Sequence, residues 1–287
     1  MMRKLTVMIA VAALCAPALA GAASKTDKIT ESHRFADSGA DNLLIVDNIW
    51  GDIEVRGYDG NEITVRAVKT IYAKDSDDIP KMEREVYLDI TKDDDLLELY
   101  VDGPFRDNKD GSRRKRERWH RECEVHFDFE IKVPRGTSVE LSTVNDGEIY
   151  VGDIDGHYDV HNINGGIEME GIGGSGGDVY ALNEDVTIEF AKNPTKDSRF
   201  GSLNGDVRLH FLPGLSADFY LKTFNGEFFS DFPVTYLPLR DESVSEKKKG
   251  RYVYRVNRKT AVRAGDGGPQ IDLDMFNGDS FLLEKKL

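Results

Sequence analysis

Three groups of side chains in this 287-residue sequence stand close enough together to do chemistry. His120, Cys123 and His126 have the spacing of metal ligands, and zinc takes imidazole and thiolate together. On an extended strand, however, His120 and His126 share a parity that Cys123 does not, so the three cannot converge if the strand starts this early. Cys123 then reads as a small buried hydrophobe. Arg113, Arg114, Lys115, Arg116 and Arg118 form a basic run that could hold an anionic polymer such as lipopolysaccharide phosphate or an acidic polysaccharide. The bland alternative is a solvated charge run.

The third group is acidic: Asp52, Glu148, Asp185, Asp206, Glu227 and Asp279 each follow a predicted turn. Stacked in one column, they would repel one another unless a cation intervened, and calcium accepts carboxylate and backbone oxygens. The glycine-rich nonapeptide of calcium β-rolls is absent, so a solvated acidic edge is the plainer reading. No Ser or His stands in an elbow or triad context, and carboxylate pairs are too common in so acidic a chain to single one out. The expectation is a protein with no catalytic residues, no metal and no cofactor.

Positioning these groups falls to a repeat. Leu182-Asn183-Glu184-Asp185-Val186 is nearly copied as Leu203-Asn204-Gly205-Asp206-Val207. Asn145, Asn164, Asn183, Asn204 and Asn225 lie 19, 19, 21 and 21 residues apart, and Asn277 carries a further copy after an insertion. Trp50 fills the Asn slot of an early copy. An apolar residue precedes each slot (Ile49, Val144, Ile163, Leu182, Leu203, Phe224, Phe276). Another follows three places on (Ile53, Ile167, Val186, Val207, Phe228), and one extra residue delays it to Ile149 in the copy at Asn145. Apolar residues on both sides predict strand, tight turn and strand, with both flanks returning to one interior.

Asn-Gly is also the strongest short hairpin signal, so antiparallel hairpins are the rival reading. A constant period of about 20 residues favours coils stacked in a solenoid, which would put the Asn amides above one another at ~4.8 Å, within bonding reach. The predicted class is all-β: a short parallel β-solenoid, β-helix-like, with β-hairpin insertions.

Residues 1–20 read as a secretory signal, with Arg3 and Lys4, an apolar run over 5–14 and Ala18-Leu19-Ala20 at its end. The bulky Leu14 before Cys15 argues against a lipid-modified cysteine. Residues 21–42 read as a flexible lead-in. Residues 43–138 form a β-rich portion with a long basic loop over 103–120, and residues 139–287 hold the repeats with a hairpin insertion over 237–270. Without Arg3 and Lys4 the formal charge falls from −14 to −16, which disfavours nucleic acid and anionic lipid as partners. No membrane span is expected after signal cleavage, and Cys123 is left without a disulfide partner. No motif sets an oligomeric state.

Val46-Asp47-Asn48-Ile49-Trp50-Gly51-Asp52-Ile53-Glu54-Val55-Arg56-Gly57, the strand end Ile131-Lys132-Val133-Pro134-Arg135-Gly136 and the recurring Asn-Gly-Asp/Glu copies together resemble the bacterial putative-adhesin family. These are exported β-strand-repeat proteins of unknown function, and the resemblance covers residues 43–287. It implies an exported, solenoid-like protein in or on the cell envelope, periplasmic or at the cell surface, with no established catalytic residues. The chain departs from the pattern at Trp50, at Asn183-Glu184 and in the basic loop. The function expected is adhesin-like binding, in which a rigid β-repeat surface meets an envelope polymer or an envelope protein. The alternatives are a polysaccharide-active β-helix enzyme, which would need a cleft with clustered carboxylates and a basic residue, and a structural or sensing partner of an envelope protein.

Overall fold

Strict alternation, as in Val125, Phe127, Phe129, Ile131 and Val133 against Glu124, His126, Asp128, Glu130 and Lys132, imposes extended backbone with one buried face. The structure, a computed structural model, describes residues 23–37, 42–106, 123–238, 244–248, 251–255 and 260–286. In chain order the first strands are β1 (Ala23–His33), β2 (Leu43–Asp47), β3 (Ile53–Tyr58) and β4 (Ile63–Ala73), then a short helix α1 (Ile79–Glu85). Next come β5 (Tyr87–Lys92), β6 (Leu96–Asp102), β7 (Cys123–Pro134), β8 (Ser138–Thr143), β9 (Ile149–Gly152), β10 (Tyr158–Asn162) and β11 (Ile167–Ile172). β12 (Gly177–Ala181), β13 (Val186–Phe190), β14 (Ser198–Ser202), β15 (Val207–Phe211), β16 (Ala217–Lys222) and β17 (Phe228–Ser230) continue the repeat. The chain closes with β18 (Val234–Tyr236), β19 (Val244–Lys248), β20 (Arg251–Arg255), β21 (Thr260–Ala264), β22 (Gln270–Met275) and β23 (Ser280–Glu284).

Two large sheets result. The first has the order β1-β4-β7-β3-β9-β11-β13-β15-β23-β17, the second β18-β21-β16-β22-β14-β12-β10-β8-β2-β6-β5. From β7 to β17 every neighbour in the first sheet pairs in parallel. So does every neighbour from β6 to β16 in the second. The strand before each turn lies in the second sheet and the strand after it in the first, so the two never pair as a hairpin. The chain is all-β and coiled in parallel, as the period predicts.

Eight coils stack in the order β6/β7, β2/β3, β8/β9, β10/β11, β12/β13, β14/β15, β22/β23 and β16/β17. This order corrects the linear reading in two places. The solenoid does not begin at residue 139, because two coils, β6/β7 and β2/β3, come from residues 43–138. The last coil in sequence, β22/β23, does not close the stack but slides between β14/β15 and β16/β17.

The ends carry antiparallel strands. β4 pairs with β7, β1 with β4 and β5 with β6, while β21 pairs with both β16 and β18. Residues 23–33 are therefore a strand along the full length of β4, where a flexible lead-in was expected; the half-buried Ile29 ties it to the core. Of the 237–270 insertion, only β19 and β20 form a separate hairpin, while β21 belongs to the second sheet. α1 packs on β4 and β1 and buries Met82. Lys69, itself buried, donates to the Glu83 carbonyl at 3.1 Å and to that of Val86, and burial lowers its pKa.

Between the sheets the core is continuous. Phe190 lies flat on Phe211, with centroids 4.8 Å apart, and edge-on to Phe200, while Phe127 and Phe129 fill the other end. Each such ring stabilises the fold by ~1.5–3 kcal/mol through burial.

A candidate binding surface along the turn edge

Where each coil crosses from the second sheet to the first, successive residues take fixed directions. The residue two before the Asn slot points inward and is polar in most copies: Asn48, Thr143, Asn162, Ser202 and Thr223, of which the first four are buried. Asn48 Nδ2 donates to the carbonyls of Trp50, Gly51 and Phe127 at 3.1, 3.1 and 2.8 Å. Asn162 Nδ2 donates to Gly147 and Gly166 at 2.9 and 3.1 Å, and its Oδ1 accepts the Gly165 amide. Ser202 Oγ donates to the Glu184 carbonyl and accepts the Gly205 amide, both at 2.9 Å. These side chains satisfy turn backbone that the sheets leave unpaired, which an apolar residue could not do. Sequence reasoning missed them, although a polar residue where strand parity demands an apolar one was a visible signal.

The Asn-Gly glycines serve close approach of the coils rather than hairpin geometry. Gly147, Gly165, Gly205, Gly226 and Gly278 are not among the positive-φ glycines, whereas a type I′ hairpin needs positive φ at both central residues. A Cβ on Gly278 would lie 1.8 Å from the Gly205 carbonyl oxygen, and one on Gly205 would lie 2.1 Å from that of Glu184. The extra residue of the Asn145 copy is absorbed by Asp146, which takes φ 47° and restores register, so that Ile149 pairs with Ile167.

The asparagines form the predicted ladder. Nδ2 of Asn164 donates to Oδ1 of Asn145 at 2.9 Å, Asn183 to Asn164 at 2.7 Å and Asn204 to Asn183 at 2.9 Å. Asn277 then donates to Asn204, and Asn225 to Asn277, both at 2.8 Å. Asn225, not Asn277, is thus the terminal rung. Trp50 bridges Asn145 in parallel at the other end; it is buried and meets Phe105 edge-on at 5.4 Å. Arg106, next to Phe105, grips the Asp47 carboxylate with two bonds of 2.9 Å and lies over the Tyr100 ring. Trp50 therefore closes the ladder beneath residues 103–106.

Apart from Ile49, which packs against the core, the apolar residue before each slot does not return to the interior. Ile163, Phe276 and Phe224 are 40, 44 and 74 % exposed, and Val144, Leu182 and Leu203 are only partly covered. With the preceding residue turned inward, to cap the turn in most copies and to fill the core at Ala181 and Met275, alternation sends this one outward. The result is an external apolar stripe of six rungs, spanning ~24 Å at strand spacing beside the amide ladder.

The acids also stack, and backbone amides answer their charge. Oδ1 of Asp52 accepts the Glu148 amide at 2.9 Å, Asp185 that of Asp206 at 2.8 Å, Asp206 that of Asp279 at 2.9 Å and Asp279 that of Glu227 at 2.7 Å. The column breaks at the coil carrying Gly166. Arg208 sits between Asp185 and Asp206 at 2.6 Å from each, where a cation would otherwise be wanted. Asp128 continues the column below by accepting the Asp52 amide at 3.1 Å; burial pushes its carboxyl up, and the Asp52 charge adds to this. Among the described residues no group of His, Cys, Asp and Glu is arranged to hold a metal. His126 meets Tyr72 edge-on, its Nε2 3.6 Å from Glu124. His120 and the whole basic run, Arg113, Arg114, Lys115, Arg116 and Arg118, lie outside the described residues, as does the signal segment.

The outer faces of the sheets carry shallower features. On the first sheet, Tyr150 donates to Glu170 at 2.8 Å, and burial together with that bond pushes its phenol up to about 12. Nearby, an open hollow of about 570 Å³ is lined by Glu31, Glu54, Glu130, Arg56, Arg66 and Lys132 among others. Glu54 is paired with Arg56 and Glu31 with Lys92. On the second sheet a hollow of about 210 Å³ lies over Arg199, Tyr220, Lys222, Asp272 and Asp274. No helix among the described residues is long and apolar enough to cross a membrane.

No protein-family profile matches the chain, and no curated protein matches it in sequence, so the resemblance drawn from its motifs has no counterpart at that level. Three bacterial structures are similar in shape, each at 10 % identity. A putative cell adhesion protein from Clostridium sporogenes covers 90 % of this chain and 100 % of its own, at a TM-score of 0.45. A putative adhesin from Bacteroides fragilis covers 90 and 97 % at 0.34, and a putative lipid binding protein from Parabacteroides distasonis covers 91 and 97 % at 0.28. These likenesses are too distant to carry a function across.

Proposed function

We propose that this chain is an exported, non-catalytic binding protein of the cell envelope, adhesin-like in action, that presents its turn edge to a repetitive envelope polymer or an envelope protein. The observation that carries the reading is the external stripe, six apolar rungs beside six mutually bonded amides, each at a fixed place on a rigid stack. A ligand that repeats can meet many such rungs at once, and weak contacts then sum into avidity. The scaffold is already ordered, so little conformational entropy is lost on binding. The basic, apolar and small-residue segments of 1–20 have the pattern of an export signal, which supports a location in the periplasm or at the cell surface.

The enzyme reading finds its best seat in the 570 Å³ hollow, where three glutamates face three cations. Two of those glutamates are engaged in ion pairs, Glu54 with Arg56 and Glu31 with Lys92, which leaves Glu130 alone where cleavage would ask for a pair of free carboxyl groups. The test is co-sedimentation of residues 21–287 with peptidoglycan, outer-membrane vesicles and capsular polysaccharide, with calcium and with chelator, while the supernatant is assayed for released sugar. The expected result is saturable pelleting without sugar release, weakened by the double variant Ile163→Ser, Leu182→Ser. Released reducing ends would replace this reading with the enzyme. Absence of pelleting with every polymer would leave a protein partner, to be sought by cross-linking.

A further inference from the structure

We infer that the β16/β17 end of the stack is a docking edge for an extended peptide strand of a partner protein, added parallel to β17 and carrying an apolar residue, an asparagine and, four places after it, an aromatic. This goes beyond the stripe, with which it shares only the end rung Phe224.

The end of each sheet is treated differently. At the β6/β7 end, the first sheet is extended by β4 and β1 and the second by β5; β1 carries Lys25, Asp27, Lys28 and Glu31, charges that discourage edge pairing. At the other end the second sheet is extended by β21 and β18. Among the described residues the first sheet stops at β17, three residues long and with no charged side chain. The Ser280 amide donates to the Glu227 carbonyl and the Asp231 amide to that of Leu282, both at 2.9 Å. Residues 227, 229 and 231 therefore face β23, and Phe228 and Ser230 turn their N–H and C=O groups to the open side.

Four ladders run up to this edge and end there. Phe224 lies flat on Phe276, and Phe229 on Phe281, each with centroids 5.0 Å apart and planes within 10°. Among the described residues no ring lies over the outer faces of Phe224 and Phe229, and these residues are 74 and 42 % exposed. Asn225 donates downward to Asn277, while its own Oδ1 accepts nothing among the described residues. Every acid of the upper column receives the amide of the next coil except Glu227, which has no next coil. The outer side of β17 is thus the interface made between coils throughout the molecule, present once more without its partner. A strand continuing it places its apolar residue on Phe224, its Asn amide on Asn225 Oδ1, a backbone N–H on Glu227 and its aromatic on Phe229. That ordering is the one in Phe276-Asn277-Gly278-Asp279-Ser280-Phe281 of this chain, which lies against the inner side of the same coil.

The test uses the full mature chain and a fluorescent peptide copied from residues 270–286, with a scrambled peptide as control. The expected result is saturable binding by anisotropy, weakened about tenfold or more by Phe224→Asp, Phe229→Asp, whose exposed positions leave the circular dichroism unchanged. Hydrogen exchange should show new protection at the Phe228 and Ser230 amides. No saturable binding, or binding indifferent to the double variant, would overturn the proposal. So would loss of protection in β23, which would mean that the peptide displaces the chain's own last coil instead of adding to the edge.

Discussion

Replacing Asn204, Asn225 and Asn277 by Ala, singly and in pairs, tests the inserted coil through its energetics. Asn204→Ala removes two amide bonds, of 2.9 and 2.8 Å, whereas Asn225→Ala removes one of 2.8 Å. A hydrogen bond contributes ~0.5–1.5 kcal/mol net, and these are exposed, so losses of about 1–2 kcal/mol and about 0.5–1 kcal/mol are expected. In a chain of this size each kcal/mol lowers the melting temperature by roughly 2–4 °C. The pairs are more informative than the singles. Asn204 and Asn277 share a bond and should couple by ~0.5–1 kcal/mol, whereas Asn204 and Asn225 stand two coils apart, ~9.6 Å, and should be additive within ~0.5 kcal/mol. Urea unfolding followed by circular dichroism and tryptophan fluorescence supplies the cycle. Coupling of Asn204 to Asn225 and not to Asn277 would refute the insertion, because it would put the two copies adjacent in sequence next to each other in space.

Gly205→Ala should cost about 1–3 kcal/mol, since its Cβ would lie 2.1 Å from the Glu184 carbonyl oxygen and force two coils apart. Gly136→Ala, with open space around it, should stay within ~0.5 kcal/mol in the same urea titration. Phe190→Ala empties a ring stacked at 4.8 Å on Phe211 in the core and should cost about 3–5 kcal/mol by the same measure. The Arg263 guanidinium bonds both oxygens of Asp218 at 2.7 Å and holds its carboxyl below the ordinary value. A depressed folded pKa gives stability that is present above the unfolded value near 3.8 and is lost as pH falls through the folded one. Hydrogen exchange on β21 should therefore quicken below about pH 4, and Asp218→Asn should remove that acid dependence while leaving the neutral-pH rate faster.

The asparagine period was legible because every coil gives its turn the same surroundings, so the same residue type recurs whichever coil lies above. Alternation in β7, and the spacing that brings Ile53, Ile149, Ile167, Val186 and Val207 into one register, were legible for the same reason. The direction of Ile163 and Leu203 was not. Their apolarity suggests the interior, but Asn162 and Ser202 beside them must point inward to cap the turn, and two neighbours cannot both do so. β1 escaped notice because it is half polar and takes its strand character from β4, thirty or more residues away. Nor could the glycines declare their reason: Gly278 is required by the carbonyl of Gly205, a neighbour only across the inserted coil boundary.

By itself, then, the sequence determined what is local and periodic: strands, turns and the rungs at Asn145, Asn164, Asn183, Asn204, Asn225 and Asn277. The tertiary structure alone decided which rung follows which, that Trp50 ends the ladder under Phe105, and which edge is left open at β17. A period fixes the height of each step but not the order in which separated segments climb. That order is chosen by contacts such as the one between β14 and β22, about seventy residues apart in the chain, which no local pattern encodes.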